Sequence, residues 1–133
     1  MEDAWQYFSI DEIQSVIKRS HGWKATWVDR VLDIWLKYLM VMHIHLTAAY
    51  NEVIHEPDKM PKCITPGLTF LQPKSQETSE PKNHRPITCL STMYKILTAS
   101  ISDKMFMSLQ KINMLPEEQK GCRRNSRGCK EQL

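Results

Sequence analysis

Gly67-Leu68-Thr69-Phe70-Leu71-Gln72-Pro73-Lys74 and, further on, Asn83-His84-Arg85-Pro86-Ile87-Thr88-Cys89-Leu90 are the two stretches on which the fold turns. Pro57, Pro61, Pro66, Pro73, Pro81 and Pro86 crowd this part of the chain. A helix interior tolerates none of them, because proline lacks the backbone donor and clashes with the preceding turn. Leu68-Thr69-Phe70-Leu71 and Ile87-Thr88-Cys89-Leu90 are short, β-branched and aromatic runs, whereas Gln72 to His84 is polar and turn-rich. Two strands joined by a long exposed loop follow from that pattern.

Working outward, helices are expected on both sides. Upstream, Ser9-Ile10-Asp11-Glu12 has the Ser-x-x-Glu spacing of a capping box, in which hydroxyl and carboxylate satisfy each other's backbone donors. Ile10, Ile13, Val16 and Ile17 then share one helical face and Gly22 ends the segment. A longer stripe of Val28, Val31, Trp35, Leu39, Met42, Leu46, Ala49 and Val53 runs at threes and fours, with a break expected near Met40 and a stop before Pro57. Downstream, Ser91 or Thr92 caps a helix carrying Met93, Leu97, Ile101, Met105, Leu109 and Ile112, which must finish before Pro116. These helical stripes are read as core. The fold class is therefore α+β, helices flanking a small antiparallel hairpin. Three regions are expected: N-terminal helices over 1–58, the hairpin over 59–91, and a helix with a basic loop over 92–133.

The chain has 133 residues, 41% hydrophobic and 25% charged, which suits one packed domain or part of one. Its net charge of +3 conceals an asymmetry. Residues 1–58 carry five Lys/Arg against nine Asp/Glu, or 5 − 9 = −4; residues 59–133 carry thirteen against six, or 13 − 6 = +7. The basic half is where a polyanion is expected to touch. Trp35 to Tyr50 is apolar but broken by Lys37, His43 and His45, so no membrane span is expected, and the acidic Met1-Glu2-Asp3 start is not a signal peptide. The four cysteines are read as reduced thiols, and the location as intracellular, nucleus or cytoplasm.

Catalytic chemistry is sparse. Cys63, Cys89, Cys122 and Cys129 form no Cys-x-x-Cys pair, and His43 and His45 lie two apart on a helix, facing different ways. No metal site and no catalytic residue is assigned. Two-metal phosphoryl transfer needs carboxylates that hold ions about 4 Å apart. The six aspartates include no Asp-Asp dipeptide, and Asp29 with Asp33 reads as solvated helix surface. Phosphate handling is better served: Lys74 closes the first strand and Arg85 opens the second, so a hairpin sets a compact ammonium and a rigid guanidinium fork at one polar end.

On these residues the chain resembles the fingers region of a reverse transcriptase, most closely that of non-LTR (LINE-type) retrotransposons. The family pattern, roughly G-x-T-x-L-x-P-K, then N-Y-R-P-I-x-x-L and a Y-K helix, is similar to Gly67–Lys74 followed by Asn83-His84-Arg85-Pro86-Ile87 through Tyr94-Lys95. Gln119-Lys120-Gly121-Cys122 resembles the Q-x-G-F/C segment before the first palm strand, and Trp23-Lys24 through Trp35-Leu36-Lys37 the family's opening motif. The departures are Ala25-Thr26-Trp27 for Pro-Gly, Gln72 for an apolar residue, His84 for tyrosine and Cys63 for tryptophan.

The resemblance implies that Lys74 and Arg85 line the pocket for an incoming deoxynucleotide. It implies that Asn83 and Pro86 help place the template, and that Arg123, Arg124 and Arg127 contact the backbone of an RNA template or RNA–DNA hybrid. The metal-binding aspartates of such enzymes sit on palm strands that would lie beyond Leu133. No cofactor is expected in this chain, Mg2+ being expected only with the missing palm, and no polymerase activity is expected from it alone. Met105, Leu109 and Leu133 would then be thinly covered, with self-association through exposed apolar surface as a consequence. Two other readings compete: a non-enzymatic nucleic-acid-binding module using the basic half, and a helical fragment whose stripes dock a protein partner.

Overall fold

The computed structural model describes residues 7–20, 31, 33–74 and 80–114. In chain order these form α1 (Ile10–Arg19), α2 (Asp33–Tyr38), α3 (Met40–His55), a short 3-10 turn (Pro57–Lys59), strand β1 (Gly67–Pro73), a second 3-10 turn (Pro81–Asn83), strand β2 (His84–Leu90) and α4 (Thr92–Lys111). The architecture is α+β, with four helices and a two-stranded antiparallel hairpin among the described residues. The chain divides into two compact units, Met1–Ser100 and Ile101–Leu133.

Each helix of the first unit starts or stops where its sequence instructs. Ser9 Oγ accepts the Glu12 amide at 3.2 Å and Glu12 Oε2 accepts the Ser9 amide at 2.8 Å, closing the capping box at the head of α1. The reciprocal bonds satisfy two donors that a helix start leaves orphaned. α3 ends at His55, two residues short of Pro57. Ser91 heads α4, its Oγ accepting the Tyr94 amide at 3.1 Å and its carbonyl accepting the Lys95 amide at 3.0 Å.

The long upstream stripe is interrupted at Leu39, between α2 and α3. The interruption is managed by His43. Its Nε2–H donates to the Leu36 carbonyl at 2.7 Å, the partner being an acceptor only, and this fixes the proton on Nε2. Nδ1 is buried with no hydrogen-bond partner. His43 thus closes the end of α2 from inside α3. His45, two residues on, is exposed.

The core of the first unit holds Phe8, Ile13, Val16, Ile17, Leu36, Tyr50, Ile96 and Leu97. Burying those side chains supplies the main favourable term. Polar side chains tie the helices together through backbone. Tyr50 Oη donates to the Met93 carbonyl at 2.7 Å, and Thr92 Oγ1 to the Val31 carbonyl at 2.9 Å. Asn51 grips the Phe8 backbone twice, accepting its amide at 2.6 Å and donating to its carbonyl at 3.1 Å. Burial pushes the Tyr50 phenol well above its usual range.

One expectation fails here. The stripe read as core does not face inward: Trp35 is 59%, Leu39 50% and Met42 44% exposed. The buried line is instead Leu36, His43, Thr47 and Tyr50. Two of those four are polar, and each donates to a backbone carbonyl, His43 from Nε2 to Leu36 and Thr47 to His43 at 2.7 Å. α3 also carries Val41, Ile44, Ala48 and Ala49 on its outer side. Apolar residues spread around the circumference of a helix give periodicity little to choose between.

In the second unit the described residues are 101–114, the latter part of α4 and its end. Met105 is half exposed, and Ile112 more so. The helix closes on a Schellman motif: Asn113 has φ 52°, its amide donates to the Gln110 carbonyl at 3.2 Å, and the Met114 amide donates to Leu109 at 3.1 Å. Asparagine is the side chain that most readily accepts that left-handed conformation after glycine.

Candidate nucleotide-binding hairpin

β1 and β2 pair without a bulge, Gly67 opposite Leu90 through Gln72 opposite Arg85 and Pro73 opposite His84. The strands run longer than the apolar runs alone predict, reaching Pro73 and His84. Both faces of β1 lie in solvent. The ladder is therefore set by backbone bonds and turn chemistry, and polar residues such as Gln72 and Arg85 join it at no burial cost.

The Lys74 amide donates to the Asn83 carbonyl at 2.7 Å, which settles the alternation. Residues 74, 72, 70 and 68 turn their backbone groups toward β2, and 73, 71, 69 and 67 turn theirs outward. Both prolines conform, since Pro73 and Pro86 fall at outward positions, where a missing N–H costs nothing. Thr69 and Thr88 share an Oγ1···Oγ1 hydrogen bond of 2.8 Å across such a pair. Gly67 is required by contact: a Cβ there would come within 2.7 Å of Thr88 Cγ2 and 2.9 Å of Leu90 Cδ2.

At the loop end of the ladder Lys74, Asn83 and Arg85 are neighbours in the register. Arg85 sits on the rung opposite Gln72, two rungs from the Lys74–Asn83 pair. Side-chain alternation gives Arg85 the same face as Gln72, Phe70 and Ile87. Arg85 is exposed, and its guanidinium makes no ion pair or hydrogen bond among the described residues. Lys74 Nζ donates to the Lys82 carbonyl at 2.9 Å, curling along the tip. Lys82 pairs with Glu80 at 2.5 Å, and His84 Nδ1 meets the Glu80 carbonyl at 3.2 Å. Three cations thus stand against one carboxylate among the described tip residues.

Asn83 helps build the tip through its backbone, its amide donating to the Glu80 carbonyl at 3.0 Å while its own carbonyl takes the Lys74 amide. Pro86 is an exposed strand residue opposite Leu71. Arg123, Arg124 and Arg127 lie outside the described residues, as do Leu133, Asp29 and the Trp23–Lys24 motif. Among the described residues no cluster of His, Cys, Asp or Glu is arranged to hold a metal ion. No described helix is long and apolar enough to cross a membrane. The sequence reading missed His43, which patterned as one of several histidines; its carbonyl partner is visible only once α2 breaks.

Comparison with protein-family models, with curated proteins and with solved structures finds no match for this chain.

Proposed function

We propose that this chain is a fingers-type fragment of a retrotransposon reverse transcriptase, whose hairpin grips phosphate at the incoming nucleotide and the template. One observation carries the reading: the antiparallel ladder gathers Lys74 and Arg85 at one exposed end, with Lys82 beside them. A guanidinium without a partner among the described residues can fork onto a phosphate, and an ammonium on a flexible stem adds a movable charge. Arg123, Arg124 and Arg127 add further positive charge downstream in the sequence. The chain supplies binding; the carboxylates that would hold Mg2+ and drive synthesis are not among its six aspartates as a paired motif.

The test is binding of a labelled RNA–DNA hybrid across a salt series. The logarithm of the affinity is expected to fall linearly with the logarithm of salt, and Lys74→Ala with Arg85→Ala together should flatten the slope by up to about two units. An unchanged slope removes both residues from the binding surface. The outward apolar side of α2 and α3, with Tyr38 78% and Val41 75% exposed, favours a second reading in which that face docks a protein. That reading predicts association indifferent to salt, without nucleic-acid affinity.

A further inference from the structure

The two ring nitrogens of His84, at the hairpin tip, stand in unequal surroundings. Nδ1 lies 3.2 Å from the Glu80 carbonyl, which can only accept, so Nδ1 carries the proton of the neutral ring. Nε2 is then the nitrogen that gains a proton on acidification, and it makes no hydrogen bond or ion pair among the described residues. The charged residues of the tip around it, among those described, are Lys74 at the end of β1, Glu80 and Lys82 in the turn, and Arg85 next along β2. Pro73, on the facing rung, carries no charge. The one carboxylate of that set is taken by Lys82, at 2.5 Å. A protonated His84 would thus be a fourth cation, with no described carboxylate left to answer it.

We infer that phosphate binding at this tip is coupled to protonation of His84: a bound nucleic-acid backbone brings the anion that the imidazolium lacks. Binding then takes up a proton at Nε2 and tightens as pH falls. The inference rests on the phosphate grip proposed above for Lys74 and Arg85, and adds a dependence that those residue types do not supply. Histidine is the side chain that ordinarily changes charge between about pH 5 and 8; lysine and arginine ordinarily do not. Side-chain alternation sets His84 on the face opposite Arg85. It shares its turn with the other cation, however. The Lys74 ammonium donates to the Lys82 carbonyl at 2.9 Å, and the His84 ring leans on the Glu80 carbonyl two residues earlier. A phosphate drawn to that ammonium therefore stands at the same turn as the imidazole. Charges act on each other over about 8 Å at physiological salt, so the coupling does not require a hydrogen bond from the ring.

The experiment is binding of a labelled RNA–DNA hybrid by the full chain at low salt, from about pH 8 down to about pH 5.5, beside the His84→Gln variant. The other histidines are common to both chains, so the difference between their profiles belongs to His84. Over that interval the affinity of the unmutated chain should rise by about three- to tenfold more than that of His84→Gln, tenfold corresponding to one pH unit of coupling. The ring protons of His84, followed by NMR against pH, give a readout that needs no variant. Their titration midpoint should move to higher pH when the hybrid is bound. Parallel profiles or an unmoved midpoint overturns the inference; a salt slope still flattened by Lys74→Ala with Arg85→Ala would then leave the phosphate grip standing without it. Absence of hybrid binding at every pH overturns both. Should His84→Gln fail to fold, the ring-proton midpoint decides alone.

Discussion

The helical unit and the hairpin it carries obey different constraints. In the helices, Ile13, Ile17 and Leu97 are almost wholly buried, and polar groups such as Tyr50 and Asn51 reach across the chain to backbone partners. In the hairpin, Phe70 is 51% exposed, and the main side-chain bond across the ladder is between two threonines. Packing decides what residue stands at a helical position; in the hairpin it decides almost nothing. The exposed side chains of the hairpin are thus spared the demands of core packing.

The sharpest way to break this contrast is to truncate one residue on each side of it. Ile13→Ala empties a fully buried site and should cost about 2–5 kcal/mol in urea denaturation. Phe70→Ala removes a larger side chain from an exposed strand and should cost less than about 1 kcal/mol. Equal costs would mean that Phe70 is covered in solution, and repeating the measurement at tenfold dilution would say whether a second copy covers it.

The same contrast explains what could be read in advance. Local chemistry was legible: the Ser9–Glu12 box, the stop before Pro57, the break beside Met40 and the end of α4 ahead of Pro116 all involve residues close together in sequence. The hairpin was legible because prolines excluded the alternative. What could not be read was which way α3 faces, because Ala48, Ala49, Val41 and Ile44 make its outer side as apolar as its inner one. Nor did pattern reveal that His43 and Thr47 would sit inside, since His43 depends on a backbone carbonyl of the preceding helix and Thr47 on one in its own. At the candidate site, the pairing of Lys74 with Asn83 and the exposure of Arg85 follow from the ladder, whereas the turn of the Lys74 ammonium onto Lys82 depends on the tip's own 3-10 geometry.

A middle-sized effect distinguishes the helices from the hairpin by pH. Tyr50 is buried and donates to Met93, and burial raises its phenol's pKa because the phenolate would lose its water. The unfolded phenol titrates near about 10, so the stabilisation is complete below that pH and is lost as pH rises toward the higher folded-state value. The expected loss is about 1.4 kcal/mol per pH unit within that window. Tyr50→Phe should cost about 1 kcal/mol at neutral pH through the lost hydrogen bond and should abolish this alkaline slope. A variant that keeps the slope would assign it to another residue.

The smallest effect is expected where the candidate function lies. Lys74→Ala and Arg85→Ala remove exposed cations, one bonded only to a neighbouring carbonyl and the other without a partner among the described residues. Exposed substitutions of this kind fall within about 0.5 kcal/mol of zero. The sign should lean toward stabilisation, because like charges at the tip outnumber the single Glu80 carboxylate among the described residues. Thermal denaturation of the double variant at low salt reads this directly, since screening would mask it at high salt. Unchanged stability together with a flattened salt slope would place the whole loss of binding in missing phosphate contacts. A variant that melts early would mean instead that the tip charges hold the ladder closed.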